Sequence, residues 1–376
     1  MGVWIRRDNT QRIPPGPPDS GVFVNTPDRA KLGEEILRCI TTARRSLLII
    51  NPLITDERLL QHILGARERG VRVKIITELR ENRRSGISYP TRGFEVDDEA
   101  NLNEHFMAIR RLTTRRVLCR GMRYYAHAKI VVVDHERVIL SSANGTSNSL
   151  GWGSQPSVEA GVSINEPLVV SKVASVIGQV WEQCPFRLHL LEQDISLQES
   201  AVDPHAEFPL EYEINDDSQI VWSYPPYGRA LRDSLVRLIR QARKKITFAA
   251  LSFYETDKVD SLHTALLGAL ERGVRVTVIV RPEHFRPDQF PDPSTKHLLE
   301  NGLRLLGMSA LHAKGMVVDN SSCAIFSGNI NPFSLESDAD SAQVEIGMCE
   351  FENARFLGAY GRWLSTLEEV ADFEYA

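Results

Sequence analysis

The chain has 376 residues, of which 42% are hydrophobic and 25% are charged. This length predicts about two or three domains, and the composition excludes a disordered or fibrous protein. The aliphatic runs are too short to cross a bilayer, and the first 21 residues lack the apolar stretch of a secretory signal. Five scattered cysteines form no C-x-x-C pair. We therefore expect a cytoplasmic protein without a zinc site or another metal site, and without a cofactor.

The formal net charge of −5 conceals a segregation of charge along the chain. Nine acidic residues and no lysine or arginine lie between Glu192 and Asp217, so removing those nine charges from −5 leaves +4 for the rest. The stretch 110–123, in contrast, holds six arginines and no carboxylate. The acidic total therefore does not exclude a polyanionic substrate.

The sequence contains two copies of one unit. Residues 66–76 match residues 269–279, and residues 126–134 match residues 311–319, in the same order. Such self-similarity indicates a duplicated fold. Each copy alternates strand and helix patterns, which predicts an α/β fold with a largely parallel sheet covered by helices on both faces.

The repeat suggests a division of the chain into four parts. We expect an extended N-terminal segment without packed structure at 1–25, a first unit at 26–190, an acidic linker at 191–218 and a second unit at 219–376. The first copy is longer, because 57 positions separate Gly70 from His127 and only 39 separate Gly273 from His312. The arginines in this longer connection include Arg80, Arg83, Arg84 and Arg92.

Each copy carries the same six residue types, with equal spacings from the histidine to the asparagine and with the glutamate 15 residues later in the first copy and 16 in the second. In the first copy they are His127, Lys129, Asp134, Ser142, Asn144 and Glu159, and in the second they are His312, Lys314, Asp319, Ser327, Asn329 and Glu345. A histidine and a lysine two residues apart on a strand face the same side, and so do the serine and the asparagine. The aspartate, seven residues from the histidine, faces away, so we expect it to support structure.

Two copies would place two imidazoles and two ammonium groups around one site. This set is suited to phosphodiester cleavage without a metal, because lysines and asparagines stabilise the charge on the phosphate oxygens. One neutral histidine attacks phosphorus and forms a phosphohistidine, and the other protonates the leaving oxygen. Each glutamate is expected to accept the Nδ1 proton of the histidine in its own copy and to fix the tautomer.

The duplicated H-x-K-x4-D pattern, followed by S-x-N and a glutamate, resembles the phospholipase D superfamily. The resemblance covers about residues 26–185 and 220–367. It implies two pseudo-symmetric α/β/α sandwich units of the phospholipase D type that form one active site at their interface. It also implies that His127 is the nucleophile and that His312 is the general acid.

Residues near the first motif are candidates for substrate binding. A cationic stretch beside a phosphate site raises the local concentration of an anionic substrate, and aromatic rings can stack on bases. Packing in the core and exposure to water are the alternative roles of the same side chains. The candidates are Arg115, Arg116, Arg120, Arg123, Tyr125 and Trp152.

Three functions are compatible with this pattern. The first is a bacterial DNA or RNA nuclease, because residues 141–162 also resemble, more loosely, nucleases of restriction and phage defence, which work beside a helicase or translocase ATPase. The second is a phospholipase D or phosphatidyltransferase at a membrane surface. The third is a module that binds nucleic acid without cutting it. Both copies lie in one chain, so a homo-oligomer is possible but not required for chemistry.

Overall fold

The computed structural model describes most of the chain. The described residues are 2–8, 11–79, 98–191, 194–201, 209, 211–215, 217–225, 227–285, 290–336, 342–352 and 354–376. All four arginines named in the longer connection, Arg80, Arg83, Arg84 and Arg92, therefore lie outside the described residues. None of the helices in the described part is both long and apolar enough to span a bilayer.

The two copies form two separate mixed sheets. The strands of the first sheet are β2 (Val22–Thr26), β3 (Arg29–Ala30), β4 (Ser46–Ile50), β5 (Arg72–Ile76), β6 (Leu118–Gly121), β7 (Ile130–Val133), β8 (Arg137–Ser141), β9 (Glu159–Ile164), β10 (Phe186–Leu191) and β11 (Asp194–Glu199). Their spatial order is β11-β10-β6-β5-β4-β7-β8-β9-β2-β3. The helices of this half are α1 (Lys31–Thr42), α2 (Glu57–Glu68), α3 (Asp98–Thr114), α4 (Ser147–Leu150) and α5 (Pro167–Glu182).

The second sheet repeats this arrangement. Its strands are β1 (Trp4–Arg6), β12 (Glu211–Asn215), β13 (Ser218–Tyr224), β14 (Gly228–Arg229), β15 (Lys245–Ala249), β16 (Arg275–Val280), β17 (Arg304–Gly307), β18 (Gly315–Val318), β19 (Ser322–Phe326), β20 (Glu345–Glu350) and β21 (Phe373–Tyr375). Their order is β1-β21-β17-β16-β15-β18-β19-β20-β13-β12, and β14 pairs with β13. The helices are α6 (Ala230–Gln241), α7 (Asp260–Glu271), α8 (Pro293–Glu300), α9 (Pro332–Leu335) and α10 (Gly358–Val370), with 3-10 turns at Thr256–Lys258 and Pro282–His284.

The predicted fold class of two pseudo-symmetric α/β units is confirmed. The expectation of a largely parallel sheet is wrong, because only β4-β5-β6 and β15-β16-β17 are parallel. The later strands of each unit are antiparallel, as between β7 and β8. A short turn joins β7 to β8, and a turn of that length reverses the chain, whereas a parallel pair needs a long crossover.

Local sequence signals explain the elements that carry the site. The side chain of Asp56 accepts a hydrogen bond from the backbone N–H of Leu59 and caps α2. This helix is followed by Gly70 at φ 88°, a left-handed conformation that glycine adopts readily. The chain then enters β5, which is parallel to β4. The turn at Gly70 therefore directs β5 from the edge where the parallel strands begin toward the edge where they end.

One apolar core connects the two halves. Helices α1, α2 and α3 cover the outer face of the first sheet, and α6, α7 and α8 cover the outer face of the second. A central cluster contains α5, α10 and the inner faces of both sheets, with members such as Val173, Trp222 and Trp363. The halves are therefore packed together through buried apolar side chains, a contact that water-exposed linkers alone would not provide.

The N-terminal segment differs from its expected unpacked form. β1 pairs antiparallel with β21, and the ring of Trp4 stacks on Phe290 at 5.8 Å between centroids. Further along, the indole N–H of Trp363 donates to the carbonyl of Pro14 at 2.9 Å. The prolines exclude a helix, but an extended chain still offers backbone carbonyls and an apolar ring for packing.

The acidic segment also contributes to the sheets. β11 pairs with β10 along its whole length, and β12 pairs with β13. Tyr212 and Ile214 on β12 pack against the central core, while Glu211 and Glu213, which alternate with them along the strand, are exposed. The alternation of apolar and acidic residues in this segment fits a half-buried strand. The acidic composition of the segment did not indicate this strand.

The motif aspartates, which have the same spacing in both copies, accept the same kind of backbone hydrogen bonds in the two halves. Asp134 follows β7, and its carboxylate accepts the backbone N–H groups of Arg44, Arg45 and Ser46 at 2.7–2.9 Å. Asp319 accepts three N–H groups of residues 243–245 at 2.8 Å in the same way. Asp134 thus joins the end of β7 to the start of β4, and Asp319 joins the end of β18 to the start of β15. Burial by itself raises the pKa values of both carboxyl groups, but these hydrogen bonds outweigh it and lower them.

We predict that Asp134→Ala lowers the free energy of unfolding by about 2 kcal/mol, because several backbone donors lose their acceptor. Urea unfolding measures this loss. Asp134→Asn is the matched control, since it retains one acceptor oxygen and should lose less. Turnover per folded molecule should stay unchanged, and a folded Asp134→Ala protein without activity would contradict the structural role.

Candidate active site

The two histidine-lysine pairs lie at one edge of each sheet. Ile130 of β7 pairs with Ile50, the last residue of β4, so His127 and Lys129 lie where the parallel strands end. His312 and Lys314 precede β18, the equivalent strand of the second half. All four side chains are nearly buried, with exposures of 0–4%. The pairs are thus enclosed groups and not surface charges.

Backbone pairing between the two halves is crossed. The N–H of Ala128 donates to the carbonyl of Val344 at 2.9 Å, and the N–H of Ala313 donates to the carbonyl of Val158 at 2.8 Å. The acceptor of each bond directly precedes a motif glutamate, and the donor directly follows a motif histidine. The interface therefore brings the glutamate of one half to the histidine of the other.

The side chains follow the crossed backbone. His127 Nδ1 lies 2.7 Å from Glu345 Oε1, and His312 Nδ1 lies 2.6 Å from Glu159 Oε1. The expectation that each glutamate orients the histidine of its own copy is wrong. The spacing along the chain predicted that a glutamate is present, but the partner depends on how the halves pair.

Serines position the two glutamates. Ser142 Oγ donates to the Glu159 carboxylate, and Ser327 Oγ donates to the Glu345 carboxylate. Ser157 adds a second donor to Glu159 at 2.9 Å, a contact that the sequence analysis missed. The sequence S-x-E places that serine on the same face as the glutamate and could have indicated it. These bonds leave each carboxylate oriented toward the opposite imidazole.

The lysines lie beside the imidazoles. Lys129 Nζ donates to the carbonyl of His127 at 2.7 Å. Lys314 Nζ donates to the carbonyl of His312 and also lies 3.0 Å from His312 Nε2. The amide oxygen of Asn329 is buried, with no hydrogen-bond partner among the described residues. The glutamates contact the Nδ1 atoms of the imidazoles, so the ammonium groups of the two lysines are the donors that suit an anionic group such as a phosphate.

Burial and charge determine the protonation of the site. Burial, together with the charges of Lys129 and Lys314, lowers the pKa of His127 to about 4, although Glu345 acts in the opposite direction. Burial by itself raises the pKa of Glu345, but the effects of His127, Lys129 and a serine hydroxyl outweigh it, so this pKa lies below the ordinary value. At neutral pH the carboxylate is therefore ionised and His127 is neutral, with Nδ1–H toward Glu345 and a lone pair on Nε2.

Three of the four arginines proposed for substrate binding lie at the opposite edge or in structural contacts. Arg115 and Arg116 precede β6, at the edge where the parallel strands begin, and Arg115 lies 3.6 Å from Glu68. The four residues of β6 separate them from the catalytic edge by roughly 13 Å. Arg120 donates to the carbonyl of Trp181 at 2.5 Å and stacks on its ring. Arg115 and Arg116 thus lie at the opposite edge of the sheet, and Arg120 makes a structural contact with α5.

The other substrate-binding candidates are closer to the site. Arg123 is exposed, 3.8 Å from Glu199. The ring of Tyr125 is buried and stacks on the His127 ring at 5.7 Å, so it supports the histidine. Trp152 donates its indole N–H to Asp56 at 2.6 Å. This contact connects the loop after Asn144 to Asp56, the N-cap residue of α2.

The crossed arrangement predicts an energetic coupling between the copies. In a double-mutant cycle on unfolding, His127→Gln and Glu345→Gln should couple by about 1–3 kcal/mol, since they share a buried hydrogen bond. The matched cycle of His127→Gln with Glu159→Gln should show a coupling below about 0.5 kcal/mol. Equal coupling in the two cycles would contradict the crossed pairing.

The low pKa of His127 predicts an acid sensitivity. The imidazole titrates near 6.5 in the unfolded chain and near 4 in the folded protein, so the unfolded chain binds more protons between these values. The free energy of unfolding should therefore fall as the pH drops from 6.5 to 4, by up to about 3 kcal/mol from this residue. Urea unfolding across this range, compared with His127→Gln, isolates the effect; parallel curves for the two proteins would refute it.

Comparisons with known proteins agree with this geometry. The family model described as "Cardiolipin synthase, PLD-like domain", where PLD stands for phospholipase D, matches residues 36–181 and 235–347, more than half of the chain. No curated protein matches the sequence.

Two solved structures with TM-scores above 0.5 share the fold at low identity. Phosphatidylserine synthase from Haemophilus influenzae Rd KW20 is 13% identical over 94% of this chain and 87% of its own, with a TM-score of 0.64. Polyphosphate kinase from Porphyromonas gingivalis is 14% identical over 87% of this chain and 47% of its own, with a TM-score of 0.51. The phospholipase D family member Nuc from Salmonella typhimurium is 20% identical over 43% of this chain and 95% of its own, with a TM-score of 0.35. On the extent of the family match, the chain belongs to the phospholipase D superfamily of phosphoryl-transfer enzymes.

Proposed function

We propose that the protein is a metal-independent phosphodiesterase that works through a phosphohistidine and acts on nucleic acid. The observation that carries the chemistry is the crossed pair of buried imidazoles, each held by a glutamate of the opposite half. A glutamate on Nδ1 directs the lone pair of Nε2 toward substrate. Both histidines therefore present the reactive nitrogen at the same enclosed edge.

The first step transfers the phosphoryl group to the protein. Lys129, Lys314 and the amides of Asn144 and Asn329 hold the non-bridging oxygens of the phosphodiester and offset their charge. His127 Nε2 attacks phosphorus, so an N–P bond forms and the bond from phosphorus to the leaving oxygen breaks. His312, in its protonated form, gives its proton to that oxygen.

The second step returns the histidine to its starting state. His312, now neutral, takes a proton from water, and the water oxygen attacks phosphorus. The N–P bond breaks, which releases a phosphomonoester and a free His127. Glu159 and Glu345 keep the two rings oriented through both steps, and neither carboxylate has to change its protonation state.

Nucleic acid is the substrate class that we favour. The chain carries +4 outside its acidic segment, and Arg123 is exposed four residues before His127. The loose resemblance to restriction and phage-defence nucleases adds a proposed setting, a bacterial cytoplasm in which a helicase or translocase ATPase supplies the strand. Arg115, Arg116 and Arg120 do not support this choice, since they lie at the opposite edge or in structural contacts.

A phospholipid is the second candidate substrate, and the family description favours it. The matched family model takes its name from cardiolipin synthase. Lipid and nucleic acid both contain the phosphodiester that the site would cleave. Both nucleic acid and phospholipid are therefore tested as substrates.

We predict that acid-quenched reactions of the wild type with a labelled phosphodiester trap a protein-bound phosphoryl group that is stable in base and labile in acid. His127→Ala should lose this adduct together with at least about 10³-fold in turnover. His312→Ala should lose similar turnover, because the leaving oxygen lacks its proton donor. Full turnover by His127→Ala would contradict the assignment of His127 as the nucleophile, and absence of cleavage by the wild type would leave only a binding function.

We predict that EDTA does not inhibit cleavage, since lysines supply the charge that a metal would supply. Plasmid DNA, single-stranded DNA, RNA and mixed-lipid vesicles are compared with the wild type and His127→Ala. Cleavage of nucleic acid by the wild type alone is the expected result. Release of a lipid headgroup instead supports the second candidate, and EDTA inhibition reversed by zinc or magnesium rules out the metal-independent chemistry.

A further inference from the structure

A cleft lies on the inner face of the first sheet, and none of the motif histidines, lysines, asparagines or glutamates lines it. It runs between β4, β5 and helix α5, with a volume of about 210 Å³. The cleft is lined mainly by apolar side chains, which include Leu48, Ala174, Ile177 and Trp181. It has room for about seven water molecules, or for a short stretch of alkyl chain.

Two cations border this apolar space. Arg72 and Lys74 project from β5 into the lining of the cleft, and Lys74 Nζ lies 4.9 Å from the centre of the Trp181 ring. Within the described part of the chain, neither cation lies within ion-pair distance of a carboxylate. Positive charge beside an apolar cavity is complementary to a molecule that has an anionic head and an apolar tail.

The second half shows that the fold does not require this cleft. The pairing register makes Lys245 and Thr247 the equivalents of Ser46 and Leu48. There the carboxylate of Glu368, on helix α10, accepts a hydrogen bond from Thr247 and lies 2.9 Å from Lys245 Nζ. A buried polar contact thus occupies the space that remains open and apolar in the first half.

A glycine helps to keep the cleft open. Gly178 lies on α5 among the lining residues, and a Cβ atom added there would meet no other atom within 4 Å. A larger side chain at this position can therefore enter the cleft without displacing the backbone. The ring of Trp181, in turn, is already contacted by Lys74 and Arg120, which disfavours stacking of a nucleobase.

We propose that this cleft binds a fatty-acid carboxylate, with the alkyl chain against Leu48 and Ile177 and the carboxylate on Arg72 and Lys74. The ligand class follows from the apolar walls, the unpaired cations and the narrow volume. The site is separate from the catalytic histidines, and it does not depend on the proposed nuclease function. Its occupancy is therefore testable without any turnover.

The experiment is calorimetric titration of the full chain with n-alkanoates of six to twelve carbons, each below its micellar concentration. Affinity should increase about three- to fourfold for each methylene until the cavity is full, and then level off. Arg72→Glu and Lys74→Gln should each weaken binding by about fivefold or more, because the head loses its counter-charge. Gly178→Leu should weaken it at least about tenfold by filling the cavity.

The repeat supplies matched controls. Arg275→Glu changes the exposed arginine at the equivalent position of β16 and should leave alkanoate binding unchanged. His127→Ala should also bind normally, so that failure of this proposal and failure of the proposed chemistry are distinguishable. A brominated alkanoate should quench the fluorescence of the wild type more than that of Trp181→Phe.

Four results would overturn the proposal. They are no binding by any alkanoate, affinity independent of chain length, equal affinity for alkanols of the same length, and unchanged binding in Gly178→Leu. Binding of a single-stranded oligonucleotide is measured with the same variants. If Arg72→Glu abolished oligonucleotide binding and left alkanoate binding intact, the cleft would be a nucleic-acid contact instead.

Discussion

The crossed pairing between the two halves is the constraint on which the site depends. Two short backbone contacts, at Ala128 with Val344 and at Ala313 with Val158, hold the motif strands of the copies against each other. Each contact adjoins a histidine on one side and a glutamate on the other. Because a β contact fixes register to one residue, it determines which carboxylate reaches which imidazole. Neither half by itself contains an oriented histidine.

Burial of the site has consequences for both stability and chemistry. Removing charged groups from water costs several kcal/mol for each unpaired ion, and the enclosed edge holds two lysines and two glutamates. Their mutual attraction and the serine and backbone contacts compensate the loss of hydration. The same loss of water keeps His127 neutral and its Nε2 available at neutral pH. Conditions that hydrate the site should therefore weaken the fold and the nucleophile together.

The two copies have diverged in what covers the inner faces of their sheets. In the second half, Glu368 of α10 contacts Lys245 of β15, and Trp363 of α10 donates a hydrogen bond to Pro14 of the N-terminal segment. In the first half, Gly178 and Trp181 on α5 leave a cleft with cations at its border. The catalytic edge retains matching residues in both copies, whereas the inner faces differ in charge and in volume. Duplication thus preserved the shared site and left the surrounding surfaces free to take separate roles.

The sequence by itself determined the duplication, the six residue types of each motif, the α/β class and the family. These features are encoded locally, in spacing and in periodicity, so one chain is enough to read them. Only the tertiary structure decided that Glu345 serves His127, that Arg115 and Arg116 lie at the opposite edge, and that the N-terminal strand joins the second sheet. Each of these outcomes depends on contacts between residues far apart in the chain. Strand direction and register determine such contacts, and local side-chain patterns do not specify them.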